Sequence, residues 1–100
     1  MTTTSTKADA EMIAKALLEQ SLAACVQIDG PIQSHYRWKG EIHCDEEHRL
    51  MIKTTMEAWP RLRQCIAEIH PYDEPELIMI EVIDSSEGYL DWVIQQTEIR

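Results

Sequence analysis

The chain has 100 residues, of which 44% are hydrophobic, so we predict a single globular domain over residues 1–100. Its formal net charge of −9 argues against binding to nucleic-acid backbones or to anionic membrane surfaces, which both need a surplus of Lys and Arg. The acidity favours cations or basic partners, although a need for solubility explains it equally well.

The cysteines are odd in number and widely spaced, at Cys25, Cys44 and Cys65, which is not the pattern of a disulfide framework. The sequence has no apolar signal segment at its start and no long apolar run. We therefore expect a cytosolic protein with reduced thiols.

The first predicted elements are a short strand and a helix. Residues 1–5 are rich in threonine, which is typical of a strand. Thr6 and Asp9 have the spacing of a capping box, and apolar residues then recur with helical periodicity. We predict a helix from about Ala8 to Ser21.

A long β-hairpin follows. The first arm is predicted as a strand from Ala23 to Asp29, interrupted by Gly30-Pro31 and resumed from Ile32 to Lys39. Lys39-Gly40 has the composition of a two-residue turn, and the second arm runs from Glu41 to Thr55. With this turn, His35 faces Cys44 and Val26 faces Lys53.

The second arm is long for a domain of this size. Fully extended it would reach about 50 Å, whereas the expected radius of gyration is about 13 Å. The arm must therefore break or project beyond its domain. A projecting hairpin with open edges needs a partner.

Three further elements complete the predicted fold. Pro60 fits the first turn of a helix that ends near His70, because Pro71 follows. The apolar segment Glu76–Ile83 is predicted as a central or sandwiched strand, and Tyr89–Ile99 as a terminal helix. The order gives an α+β, ferredoxin-like split βαβ fold (β-α-β-β-α-β) with an extra C-terminal helix.

Five phrases of the sequence resemble the CutA family, which is known for divalent-cation tolerance. They are Leu22-Ala23-Ala24-Cys25-Val26, Ser34-x-Tyr36-x-Trp38-x-Gly40, Ile52-Lys53-Thr54, His70-Pro71-Tyr72 followed by Pro75-Glu76, and Tyr89-Leu90-x-Trp92. The resemblance implies a homotrimer in which long strands extend onto neighbouring subunits, with an architecture like that of PII signalling proteins. It also implies copper tolerance and weak binding of divalent cations. No cofactor is expected to be required, and Cu²⁺ or another divalent cation is the expected optional ligand.

Cys65 and His70 are the predicted metal ligands. The copper site proposed in the family uses a cysteine of the second helix, which Cys65 matches, and a histidine whose place is taken by Ile69, beside His70. Its first-strand cysteine corresponds to about Thr2, which is not a thiol. A second interpretation is that Cys65 packs in the core and His70 closes the helix.

Histidine and cysteine also crowd the hairpin. His35 and Cys44 would lie opposite each other at roughly 5 Å, a spacing that one Cu²⁺ or Zn²⁺ can bridge. No zinc-site spacing supports this, and a polar, solvated ribbon is the competing interpretation.

The aromatic and charged residues within the family-like phrases form a candidate ligand site. A cleft between subunits that binds a small ligand needs aromatic walls and a few charges. The competing interpretation is a subunit interface with a buried Lys–Glu pair. The residues concerned are Tyr36, Trp38, Lys53, Tyr72, Glu76 and Trp92.

No catalytic motif is present: the sequence lacks a glycine-rich phosphate loop and a Gly-x-Ser-x-Gly turn. Cys25 lies in an apolar segment and is expected to be buried and inert. We therefore predict a non-enzymatic homotrimer that binds divalent cations. The alternative is a PII-like sensor that binds a small anionic metabolite between subunits.

Overall fold

The structure, a computed structural model, describes residues 1–98 and has an α+β architecture, as predicted. A three-stranded antiparallel sheet has the order β1-β3-β2. The elements in chain order are β1 (Thr2–Thr4), α1 (Lys7–Glu19), β2 (Cys25–Trp38), β3 (Glu41–Lys53), α2 (Trp59–Ile69) and α3 (Glu87–Gln96). The predicted terminal helix is thus α3, and the predicted end at Ile99 lies outside the described residues.

The ends of α1 and α2 follow from local chemistry. The Thr6 side chain caps α1 by accepting a hydrogen bond from the Asp9 backbone N–H at 3.1 Å. Pro60 lies in the first turn of α2, where its missing N–H removes no helical bond. His70 ends α2 in an extended conformation, as the following Pro71 requires.

The hairpin is one continuous ribbon. Lys39 and Gly40 form its turn, both with the positive φ (50° and 81°) that a type I′ turn needs. The register places His35 opposite Cys44, as predicted. Neither strand breaks, so the ribbon projects, and the molecule measures 44 × 26 × 22 Å.

A β-bulge replaces the predicted interruption at Gly30-Pro31. β2 has two residues between Asp29 and Ile32, whereas β3 has one between their partners Arg49 and Glu47. The predicted pairing of Val26 with Lys53 is therefore wrong by one residue: Val26 pairs with Ile52.

The predicted strand Glu76–Ile83 is also corrected, because the segment carries no strand assignment. Ile78 exchanges two hydrogen bonds with Met1, of 2.8 and 3.1 Å, and the Thr2 hydroxyl donates to the Glu76 carbonyl. The segment therefore runs beside β1, but β1 is too short to extend the ladder. Leu77 packs against the core, but the apolar side chains from Ile78 onward are exposed rather than sandwiched, with Val82 at 71% and Ile83 at 95%.

The core lies at the base of the hairpin. Helices α1 and α2 contribute most of it, and β3 contributes Leu50, which is fully buried. The largest fully buried apolar side chains are Ile13, Leu17, Leu50, Leu62 and Ile66. Within residues 1–98, no helix has the length and the apolar run needed to cross a membrane.

Candidate functional site

A groove of about 800 Å³ runs between the outer half of the hairpin and the loop that follows α2. Its volume falls within the range of small-ligand sites. Among the described residues that line it, six are acidic and none is Lys or Arg. The acidic residues are Asp45, Glu46, Glu47, Asp73, Glu74 and Glu76.

Two tyrosines hold two of these carboxylates in place. The Tyr72 hydroxyl donates to Glu47 Oε2 at 2.8 Å, and the Tyr36 hydroxyl donates to Asp45 Oδ2. The Tyr36 ring also stacks on His43, its cross-strand partner, with centroids 5.4 Å apart. The carboxylates therefore have defined positions, and each keeps a second oxygen that can bind a cation.

Both tyrosines stay protonated as donors. Burial, followed by the hydrogen bond to Glu47, raises the pKa of Tyr72. The hydrogen bond to Asp45 raises the pKa of Tyr36 in the same direction. Loss of the hydroxyl proton would place a phenolate oxygen beside a negatively charged carboxylate. This repulsion contributes to the raised pKa of both tyrosines.

His70 anchors the loop that carries Tyr72. Its Nδ1 accepts the Tyr72 backbone N–H at 3.1 Å, so Nε2 carries the proton and donates to the Thr3 carbonyl at 2.9 Å. The ring is buried, with 8% exposed. These bonds tie the loop to β1 and thereby fix one wall of the groove.

The structure brings together four of the six residues predicted for a ligand cleft. Tyr36, Trp38, Tyr72 and Glu76 line the groove. Lys53 lies at the inner end of β3, where its Nζ donates to Gln27 Oε1 at 2.8 Å, and it makes no buried pair with glutamate. The sixth, Trp92, is on α3 and packs against Tyr89, at 5.7 Å between ring centroids.

The predicted metal ligands occupy different surroundings. Cys65 belongs to the apolar core, and Gln20 donates to its Sγ at 3.6 Å. His70 uses both ring nitrogens in hydrogen bonds, so a metal would have to displace one of them. Within residues 1–98, no three Cys, His, Asp or Glu side chains form a metal-binding group. The assignment of these two ligands stays a prediction.

The cross-strand pair in the hairpin is closer than the backbone spacing suggests. Cys44 Sγ lies 3.5 Å from His35 Nε2, and both side chains are exposed. Because side chains alternate along a strand, this pair lies on the opposite face of the hairpin from Tyr36 and His43.

The sequence interpretation missed most of the acidic lining. Asp45 and Glu47 alternate on one face of β3, and Asp73 and Glu74 lie between two prolines. Two acidic runs in the sequence could have predicted this lining. Residues 45–47 lie in the hairpin that carries Tyr36, and residues 73–74 directly follow Tyr72.

Comparison with known proteins agrees with the fold and the phrases. A family model described as CutA1 divalent ion tolerance protein matches residues 1–96. The divalent-cation tolerance protein CutA of Thermus thermophilus is 43% identical over 88 residues, which are 88% of this chain and 85% of that protein. Human protein CutA is 43% identical over 89 residues, which are 89% of this chain and 50% of the human protein.

Solved structures give the same result. The Thermus thermophilus divalent cation tolerance protein superposes with a TM-score of 0.94 at 40% identity, covering 97% of this chain and 94% of that chain. CutA from Synechococcus elongatus superposes with a TM-score of 0.92 at 42% identity, covering 97% of this chain and 86% of that chain. This chain therefore belongs to the CutA1 family of divalent ion tolerance proteins.

Proposed function

We propose that this protein acts in divalent-cation tolerance, including tolerance of copper, by binding cations weakly in the acidic groove. The observation that carries the proposal is the lining of six carboxylates without a Lys or Arg among the described residues. Carboxylate oxygens bind divalent cations, and two opposite unit charges 4 Å apart attract by about 1 kcal/mol even in bulk water. Among residues 1–98 no three of these side chains converge on one ion, so the proposed binding is weak and spread over the groove. The role is one of binding rather than catalysis.

The same lining argues against the alternative of a PII-like sensor for an anionic metabolite. Glu47 and Asp45, held by their tyrosines, would repel an anion that entered the groove. A cation meets complementary charge there.

Assembly into a homotrimer is the second part of the proposal. An apolar segment is left in solvent in a single chain: Ile78, Met79, Ile80, Val82 and Ile83 are 45–95% exposed. Large contiguous apolar surfaces mark interfaces, and among residues 1–98 no third strand lies beside the outer half of β3. A trimer in which hairpins extend onto neighbours covers both. Sedimentation at micromolar concentration tests this, and a species near 11.6 kDa would contradict it.

The cytosol is the compartment that we propose for this protein. Cys25, Cys44 and Cys65 are all free thiols, as a reducing environment keeps them. Recovery of disulfide-linked protein from cells lysed in the presence of a thiol-blocking reagent would contradict this location.

Calorimetric titration with Mn²⁺ and Cu²⁺ tests the groove. The variant is Asp73→Asn with Glu74→Gln, and the matched control is Glu11→Gln with Glu19→Gln on the exposed face of α1. Both double variants remove two charges, but only the first removes them from the groove. We expect the groove variant to lose about tenfold or more in affinity and the control to bind as the parent protein does.

Equal affinities in the two double variants would exclude the groove. The Cys65–His70 prediction enters the same titration through Cys65→Ala and His70→Ala. Weaker copper binding in both would support that pair, and unchanged binding would remove it as a ligand set.

A further inference from the structure

His35 and Cys44 pair across the outer half of the hairpin, on the face opposite Tyr36. Their Nε2 and Sγ atoms are 3.5 Å apart. Neither side chain takes part in the core, and both are open to solvent. Within one chain the pair therefore has no packing role, and its two donor atoms are accessible.

The 3.5 Å between Sγ and Nε2 matches the distance between two ligand atoms of a tetrahedral zinc ion. Zn–S bonds of about 2.3 Å and Zn–N bonds of about 2.0–2.1 Å at a tetrahedral angle hold sulfur and nitrogen about 3.5 Å apart. The two atoms already lie 3.5 Å apart without a metal. An ion that binds between them needs little movement of either side chain.

We propose that His35 Nε2 and Cys44 Sγ form a two-residue site for Zn²⁺ or a similar borderline-soft divalent cation. Thiolate and imidazole select such ions, whereas Mg²⁺ and Ca²⁺ prefer oxygen ligands. The site adds a second cation-binding position to the proposed function, and it prefers borderline-soft ions over the ions that carboxylates prefer. The proposal rests on the cation function only for its biological meaning. His35 also borders the groove, but the His35–Cys44 pair lies on the hairpin face opposite Tyr36 and uses none of the groove carboxylates.

Two protein ligands leave part of the coordination sphere to solvent. Within the described chain no group of three Cys, His, Asp or Glu side chains closes around an ion. We therefore expect weak, exchangeable binding rather than a structural zinc site. The binding step balances: the ligands bind as thiolate and imidazole, any proton that they carry is released to solvent, and sulfur and nitrogen each donate an electron pair to the ion.

Titration with Co²⁺ as a spectroscopic probe tests this site in the 100-residue chain under a non-thiol reductant. A thiolate–cobalt bond gives a near-ultraviolet charge-transfer band that carboxylates cannot produce. We expect the parent protein to develop this band, Zn²⁺ to abolish it by competition, and lower pH to weaken binding as the ligands protonate.

The variants are Cys44→Ser and His35→Gln, with Cys25→Ser and His43→Gln as controls for another thiol and for the opposite face. We expect Cys44→Ser to abolish the band. His35→Gln should weaken binding by more than about tenfold, because loss of even an outer-shell partner costs ~10- to 100-fold. Both controls should keep the band.

An absent band in the parent protein, or a band that persists in Cys44→Ser, would overturn the proposal. Failure here is separable from failure of the groove. Asp73→Asn with Glu74→Gln should leave the cobalt band intact, and Cys44→Ser should leave Mn²⁺ binding intact.

Discussion

The two ends of the hairpin differ in what surrounds them. At the base, β3 lies between β1 and β2, and its Leu50 is buried in the core that α1 and α2 form. In the outer half, β2 is the one strand of the described chain that pairs with β3, and Ile42 is 74% exposed although it shares a strand face with Leu50. The same strand thus serves as core at one end and as an open ribbon at the other.

This difference separates stability from chemistry. The residues that hold the fold together are apolar and lie around the base of the sheet. The residues with ligand chemistry, including Tyr36, Asp45 and the His35–Cys44 pair, lie in the outer half. Substitutions in the outer half can therefore change binding without unfolding the domain.

Leu50→Ala provides the strongest expected contrast between the two ends. Truncation of this fully buried side chain should cost about 2–5 kcal/mol of unfolding free energy, from lost burial and the cavity left behind. In a single chain the matched variant Ile42→Ala should cost less than about 0.5 kcal/mol, because the Ile42 side chain is exposed there, whereas the proposed trimer would raise that cost by covering it. Denaturant unfolding measures both.

Equal losses of unfolding free energy in Leu50→Ala and Ile42→Ala would contradict the proposed difference between the base and the outer half of the hairpin. A large cost for Ile42→Ala alone would mean that another chain covers the outer half, which would support assembly through the hairpin.

Gly30→Ala should have the next largest effect, at the junction of the two ends. Gly30 has φ of 148°, and an added Cβ would lie 3.0 Å from the Glu47 carbonyl oxygen and 2.9 Å from His48 Nδ1. Strain of this kind costs about 1–3 kcal/mol. In contrast, Gly88→Ala in α3 meets no atom within 4 Å and should stabilise by roughly 0.5–1 kcal/mol. Thermal unfolding of both variants checks the opposite signs, and a loss for both would refute this account of Gly30.

The outer half of the hairpin was predictable from local chemistry. Lys39-Gly40 fixes the turn, and the turn fixes the pairing of His35 with Cys44. The base was predicted one residue out of register, because an extra residue in β2 is compatible with many positions in a sequence. The strand predicted at Glu76–Ile83 failed for a related reason: apolar composition shows a need for burial but not which chain provides it.

The groove was only partly predictable. Tyr36 and Tyr72 were selected through the family phrases, but the carboxylates that they bind were not. Asp45 and Glu47 have the alternation of an ordinary solvated strand face until Tyr72 is placed beside them. That placement depends on the His70 ring and its bond to Thr3, a contact between residues 67 positions apart.

The bulge between Asp29 and Ile32 determines where the chain tolerates a change of length. Removal of one residue there would restore an uninterrupted ladder and leave Ile32 and all later residues of β2 opposite their present partners. A deletion elsewhere in β2 would move every later side chain of that strand to the other face. Tyr36 would then leave the face of Asp45, and His35 would leave the face of Cys44. Among homologous chains, length variation in this strand should accordingly be confined to that single point.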